Sequence, residues 1–136
     1  MTPFGKRLRA LRAERGLTLK AMASDLGVSP AYLSALEHGH RGRPNRRFVH
    51  RVCQSLGIIW DDAEELQRLA DLSHPRVTVD TSGLTPEATE LANRLAEHIH
   101  ELPEASVLSM LDELRRQAGD PPRQSGTQPG KRSEVS

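Results

Sequence analysis

Four arginines fall within seven positions of this chain: Arg41, Arg43, Arg46 and Arg47. Gly42 and Pro44 interrupt the backbone between them, and Asn45 is a residue type that caps a following helix. Guanidinium groups at this density, beside the positive end of a helix, have the chemistry to clamp phosphate oxygens. The competing reading is a flexible basic loop in solvent. Other chemistry is poorly supported. Of the six histidines, His50 lies three residues before the single cysteine, Cys53, and His98 and His100 are two apart. Residues two apart on a helix point to different faces, so no metal site is expected, and no cofactor. There is no glycine-rich phosphate loop, no HExxH and no nucleophile elbow, so no enzyme activity is expected. Tyr32 and Trp60 are too isolated to form a stacking platform.

The charge is divided. Residues 1–60 carry eleven Lys or Arg and three acids, a net +8, whereas residues 61–136 carry eight and fifteen, a net −7. A basic half suggests a polyanionic partner, although an arginine-rich surface can also be merely solvated. At 136 residues the chain is one domain, or one with a small appendage. Aromatics are few (Phe4, Tyr32, Phe48, Trp60), so the core must be aliphatic, which suits helices. A lone cysteine excludes an internal disulfide and fits a reducing compartment. No apolar run approaches the ~20 residues of a membrane span, and no signal-peptide core is visible. A cytoplasmic protein without a membrane partner is expected.

The elements that must hold the arginines follow from periodicity and caps. Phe4, Leu8 and Leu11 share one face of a first helix, Pro3–Arg15, stopped by Gly16. The stretch from Leu17 to Gly39 reads as two short helices about a tight turn. The first runs from about Thr18 to Leu26. Gly27 suits the left-handed end of a helix. Ser29 is an N-cap, and Pro30 sits where a missing N–H costs nothing. Ala23, Leu26, Val28, Leu33 and Leu36 are spaced to pack the pair together. Such a pair is a helix-turn-helix, whose second helix enters the DNA major groove. Asn45 caps a fourth helix to Leu56, with Phe48, Val49, Val52, Cys53 and Leu56 inward, and Gly57 ends it. Asp61 or Asp62 caps a fifth helix to about Leu72, with Leu66, Leu69 and Ala70 inward.

From His74 to Gly83 the pattern changes. Val77-Thr78-Val79 has strand-like composition, so a linker or a short strand fits, and the linker is preferred. Thr85, with Pro86 behind it, starts a sixth helix bearing the stripe Leu84, Ala88, Leu91, Leu95, Ile99 and Leu102. Pro103 starts a seventh, with Val107, Leu108, Leu111 and Leu114 expected inward. Two such helices are marginal by themselves and need the first domain or a second copy. From about Ala118 the composition is that of a disordered tail.

LTLKAMASDLGVSPAYLSALEHG resembles the Cro/C1-type (XRE-family) helix-turn-helix regulators. The resemblance lies in Leu17-Thr18, Ala23, Leu26-Gly27-Val28-Ser29, Tyr32-Leu33-Ser34 and Leu36-Glu37 before Gly39, and Phe48 to Gly57 matches the family's next helix. It covers about residues 4–73. It implies an all-α fold: a five-helix, lambda-repressor-like DNA-binding domain (1–73), here followed by a linker (74–83), a helical hairpin (84–117) and a disordered tail (118–136). It also implies double-stranded DNA as partner and a homodimer on a palindromic operator. By the same resemblance, Glu37 should pair with Arg12 and tie the second motif helix to the first helix. Base contacts should fall to Ser29, Pro30, Ala31, Tyr32 and Ala35. Phosphate contacts should fall to Lys20, Ser34, His38, His40, Arg41, Arg43, Asn45, Arg46 and Arg47. Two departures stand out. Pro30, Ala31 and Ala35 cannot hydrogen-bond a base where relatives often carry amides, so readout by thymine methyls and DNA shape is expected. Leu19 replaces a glutamine that braces a phosphate. Either Arg41 or Arg43 can enter a minor groove.

These readings converge on a dimeric, sequence-specific repressor, with 84–117 as the dimerisation element unless those helices pack back on their own subunit. The alternative is an antitoxin-like or other protein-interaction module whose acidic C-terminal half meets a protein partner.

Overall fold

Local signals build seven helices among the residues described here, 1–118 of a computed structural model. The tail expected from residue 118 falls, from residue 119 on, outside the described residues. The helices are α1 (Pro3–Arg15), α2 (Leu19–Leu26), α3 (Pro30–Glu37), α4 (Arg46–Leu56), α5 (Trp60–Asp71), α6 (Pro86–His98) and α7 (Glu104–Ala118). No described helix is long and apolar enough to cross a membrane. The chain divides into two compact units, Met1–Val77 and a second beginning at Thr78.

Side-chain caps start most of the helices of the first unit. Thr2, Thr18, Ser29 and Asn45 each accept the N–H three residues on, which satisfies a donor the helix itself leaves unpaired. Gly27 ends α2 at φ 73°, in the left-handed region, and lets α3 turn across it. Helix α5 departs from the expected start. Its cap position is Ile59, with no side-chain cap bond, and Trp60 takes a positive φ of 57°. Asp61 and Asp62 lie inside the first turn instead, where a carboxylate favours the helix dipole.

The core of this unit unites all five helices. Phe4, Leu8 and Leu11 of α1 meet Met22, Ala23 and Leu26 of α2, Leu33 and Leu36 of α3, Phe48, Val49, Val52 and Cys53 of α4, and Leu66 and Ala70 of α5. Phe4 and Phe48 meet edge to face with centroids 6.4 Å apart, the geometry the ring quadrupoles favour. Leu56 and Leu69 are half-buried at its margin. Burial raises the pKa of the Cys53 thiol above its ordinary value, as expected when the charged form is desolvated.

Two polar links lock the ends of the unit together. Ser73, buried at 2% exposure, accepts the Phe4 N–H at 2.8 Å and donates to the Leu69 carbonyl at 2.6 Å. Gly5 packs on the end of α3 so closely that a Cβ there would stand 2.1 Å from the Glu37 carbonyl oxygen. That oxygen also accepts the Thr2 N–H at 3.0 Å.

In the second unit, residues 78–81 carry neither helix nor strand, and a turn leads into α6. Thr85 caps α6, with Pro86 in its first turn. Neither α6 nor α7 has a buried residue. Leu84, Leu91, Leu95, Ile99, Leu108, Leu111 and Leu114 are all exposed, which corrects the expectation that Leu108, Leu111 and Leu114 face inward. The periodicity predicts each helix and its apolar face, but it does not supply a surface to cover that face.

Candidate nucleic-acid interface

The geometry that presents α3 begins in the core. Leu33, Leu36 and Glu37 are buried, so the opposite side of this two-turn helix faces out. Its start is the most open part. Ser29, Pro30 and Ala31 are exposed, while Tyr32, Ser34 and Ala35 are half-buried. The Ser29 hydroxyl accepts the Tyr32 N–H at 3.0 Å. Its O–H proton therefore remains its means of meeting a base.

Helix α3 is anchored to α1 by charge. The Arg12 guanidinium binds the Glu37 carboxylate, with the two side chains 11% and 2% exposed. A carboxylate this deep is tolerable only with such a partner, since an unpaired buried charge is severely destabilising. The pair fixes the far end of α3, and the Ser29 cap fixes its start.

The loop that follows is ordered by short-range bonds. The His38 ring Nδ1 meets the Ser34 carbonyl at 2.9 Å, and the His40 N–H donates to the Ala35 carbonyl at 2.9 Å. The rings of His38 and His40 stand 6.1 Å apart. Pro44 is buried, and Asn45 Oδ1 accepts the Phe48 N–H at 2.8 Å.

The four arginines of this loop do not form one cluster. Arg46 and Arg47 occupy the first turn of α4 and are exposed. Arg41 lies over the Tyr32 ring, 5.4 Å from its centroid. Arg43 reaches Asp71 on α5 at 3.8 Å, a half-exposed pair of small energetic weight. Lys20 is exposed in the first turn of α2, and the neighbouring Leu19 packs on the core, so it has a structural use in place of a phosphate contact.

A shallow cleft joins the starts of α3 and α4. Ser29, Tyr32, Asn45, Arg47 and Arg51 line it. Two helix N-termini and two guanidinium groups make this an electropositive notch suited to an anion. Arg51 was not among the sequence-predicted contacts, although its i, i+4 spacing from Arg47 was a usable signal. It also donates to the Leu26 carbonyl at 2.9 Å and so finishes the end of α2. Arg15 does the same for Leu56 at 2.9 Å. Part of the positive charge of this half is thus structural. Among the described residues no group of three or more His, Cys, Asp or Glu side chains is placed to hold a metal.

A helix-turn-helix domain model matches residues 3–66. The transcriptional repressor RghR of Bacillus subtilis is 41% identical over 61 residues, 45% of this chain and 45% of the relative. The regulator DdrOP3 of Deinococcus deserti is 42% identical over 60 residues, 44% of this chain and 46% of the relative. The regulator SinR of Bacillus subtilis is 31% identical over 55 residues, 40% and 50% respectively. The chain spans about half the length of the curated relatives it matches. The match of residues 3–66 carries α1 to α4, the first part of α5, the buried Arg12–Glu37 pair and the exposed start of α3. Residues 3–66 thus form a helix-turn-helix domain similar to that of the XRE-type transcriptional regulators.

Proposed function

We propose that this protein is a dimeric repressor that binds specific double-stranded DNA sequences and acts by occupying promoters. The observation that carries this reading is the exposed start of α3, flanked by the exposed Arg46 and Arg47 and by Arg41. Laid in a major groove, α3 offers Ser29, Pro30, Ala31, Tyr32 and Ala35 to base edges. Lys20, Ser34, His38, His40, Arg43, Asn45, Arg46 and Arg47 then face the flanking phosphates. The name of one relative, a transcriptional repressor, agrees with this direction of regulation.

Dimerisation is assigned to the second unit. The exposed leucines and isoleucine of α6 and the leucines of α7 form a surface that a second copy would cover, and two linked domains would sit about one helical turn, ~34 Å, apart on DNA. A protein-interaction role, antitoxin-like, is the second reading, because the same apolar surface lies in the acidic part of the chain.

The test is a titration of the protein's own upstream DNA at two or more salt concentrations. Neutralising Z phosphates gives a log–log slope near −0.9Z, so six contacts give about −5. Binding that ignores salt, or no binding at all, would leave the protein-interaction reading. Ultracentrifugation of the full chain should show self-association that Leu91→Asp with Leu111→Asp abolishes. A monomer at every concentration would remove the dimer.

A further inference from the structure

The outward side of α3 is short of groups that can read a base. Pro30, Ala31 and Ala35 carry no polar side-chain atom, and the Ser29 oxygen is engaged as a cap. The fold brings a reading group in from outside the helix. The His40 N–H is tied to the Ala35 carbonyl at 2.9 Å, and a single bridge joins His40 to Gly42. The chain leaving α3 therefore folds back beside it, and Arg41 lies over the Tyr32 ring at 5.4 Å. That ring is itself braced edge-on against Phe48, with centroids 6.4 Å apart. Arg43, two residues on, is drawn away to Asp71 on α5.

We propose that Arg41, held on the Tyr32 ring, is the specificity-determining residue of this domain and reads one guanine per half-site in the major groove. The proposal rests on the DNA-binding reading above. The attraction of the guanidinium charge to the ring face occupies none of its N–H donors with an acceptor atom, so they stay available for a base. Guanine presents O6 and N7 together on its major-groove edge, the pair of acceptors that an arginine fork matches. Holding the side chain on an aromatic platform before binding reduces the rotamer freedom lost when the contact forms. Lysine is a poorer substitute, because its ammonium can reach the same two acceptors but lacks the rigid planar fork and the flat face that sits on an aromatic ring.

The test uses the full chain and a random duplex library. The best-bound duplex is remade with 7-deazaguanine, which lacks N7, or with inosine, which lacks the minor-groove amino group, at each guanine in turn. At one guanine per half-site, 7-deazaguanine should weaken binding about tenfold or more, and inosine should not. Arg41→Ala should remove that sensitivity and relax the base preference there, and Arg41→Lys should reduce both. Tyr32→Leu, which keeps bulk but lacks the aromatic face, should weaken the same preference. Arg46→Ala should weaken all duplexes alike. The proposal is overturned if Arg41→Ala keeps the wild-type base profile, whether its binding is unchanged or weakened equally on every duplex, as loss of a phosphate contact would do. Binding insensitive to 7-deazaguanine at every guanine would also overturn it, since no N7 contact would then exist. If the wild-type chain enriches no sequence, the DNA-reading function itself fails, a result distinct from these.

Discussion

Helices α3 and α6 start from the same instructions and end in opposite situations. Ser29-Pro30 and Thr85-Pro86 are both a hydroxyl cap followed by proline, and the cap oxygens accept N–H groups at 3.0 and 3.1 Å. Yet α3 buries Leu33, Leu36 and Glu37, whereas α6 buries nothing. Caps and periodicity specify a helix and the direction of its apolar side. They do not supply the surface that covers it. In the first unit α1 and α2 close over α3, and Phe48 of α4 meets its Tyr32 ring. In the second, the leucine stripes of α6 and α7 are left exposed. The first unit therefore depends on its internal contacts, and the second is suited to association.

Substitutions can break this contrast, and the largest effect belongs to the buried charge. Glu37→Ala strands Arg12 and should cost about 3–5 kcal/mol, read as a melting temperature lower by about 4–8 °C per kcal/mol. An unchanged melting temperature would mean that the first unit does not rely on the pair. Gly5→Ala drives a methyl against the Glu37 carbonyl and should cost about 1–3 kcal/mol by overpacking. Chemical denaturation would measure it, and a neutral result would show that α1 can slide on α3. Ser73→Ala orphans the Phe4 N–H and should cost about 1–3 kcal/mol. Amide exchange at Phe4 would report the loss directly. The smallest stability effect should come from the second unit. Leu95→Ser, on an exposed stripe, should change the stability of the first unit by no more than about 0.5 kcal/mol, while weakening self-association in sedimentation. A large drop in stability would erase the distinction between the two regions.

Much of the first unit was readable along the chain because its signals are local. Thr18, Gly27, Ser29 and Asn45 announce helix ends within three residues of where they act. Phe4, Leu8 and Leu11 announce a face by spacing alone. The start of α5 was misread because Asp61 and Asp62 satisfy a compositional preference that the backbone at Ile59 and Trp60 does not use. Met22 escaped notice as a core residue, since α2 is only eight residues long and its stripe is brief. Gly5, Thr2 and Ser73 carried no signal of their roles. Their partners lie 35 and 69 residues away, and nothing within one turn of chain points so far.

The site divides in the same way. Sequence by itself determined the helix-turn-helix, the shortage of reading groups on α3 and the arginine-rich loop behind it, because each is a matter of residue type and short spacing. The family resemblance pointed Arg12 to Glu37, and only the tertiary structure decided what the other arginines do. Arg12 goes to Glu37, Arg15 and Arg51 finish helix ends, Arg43 reaches Asp71, and Arg41 rests on Tyr32. All five are the same residue type, so composition cannot separate them. What separates them is where the fold puts an acceptor or a ring within reach of each guanidinium.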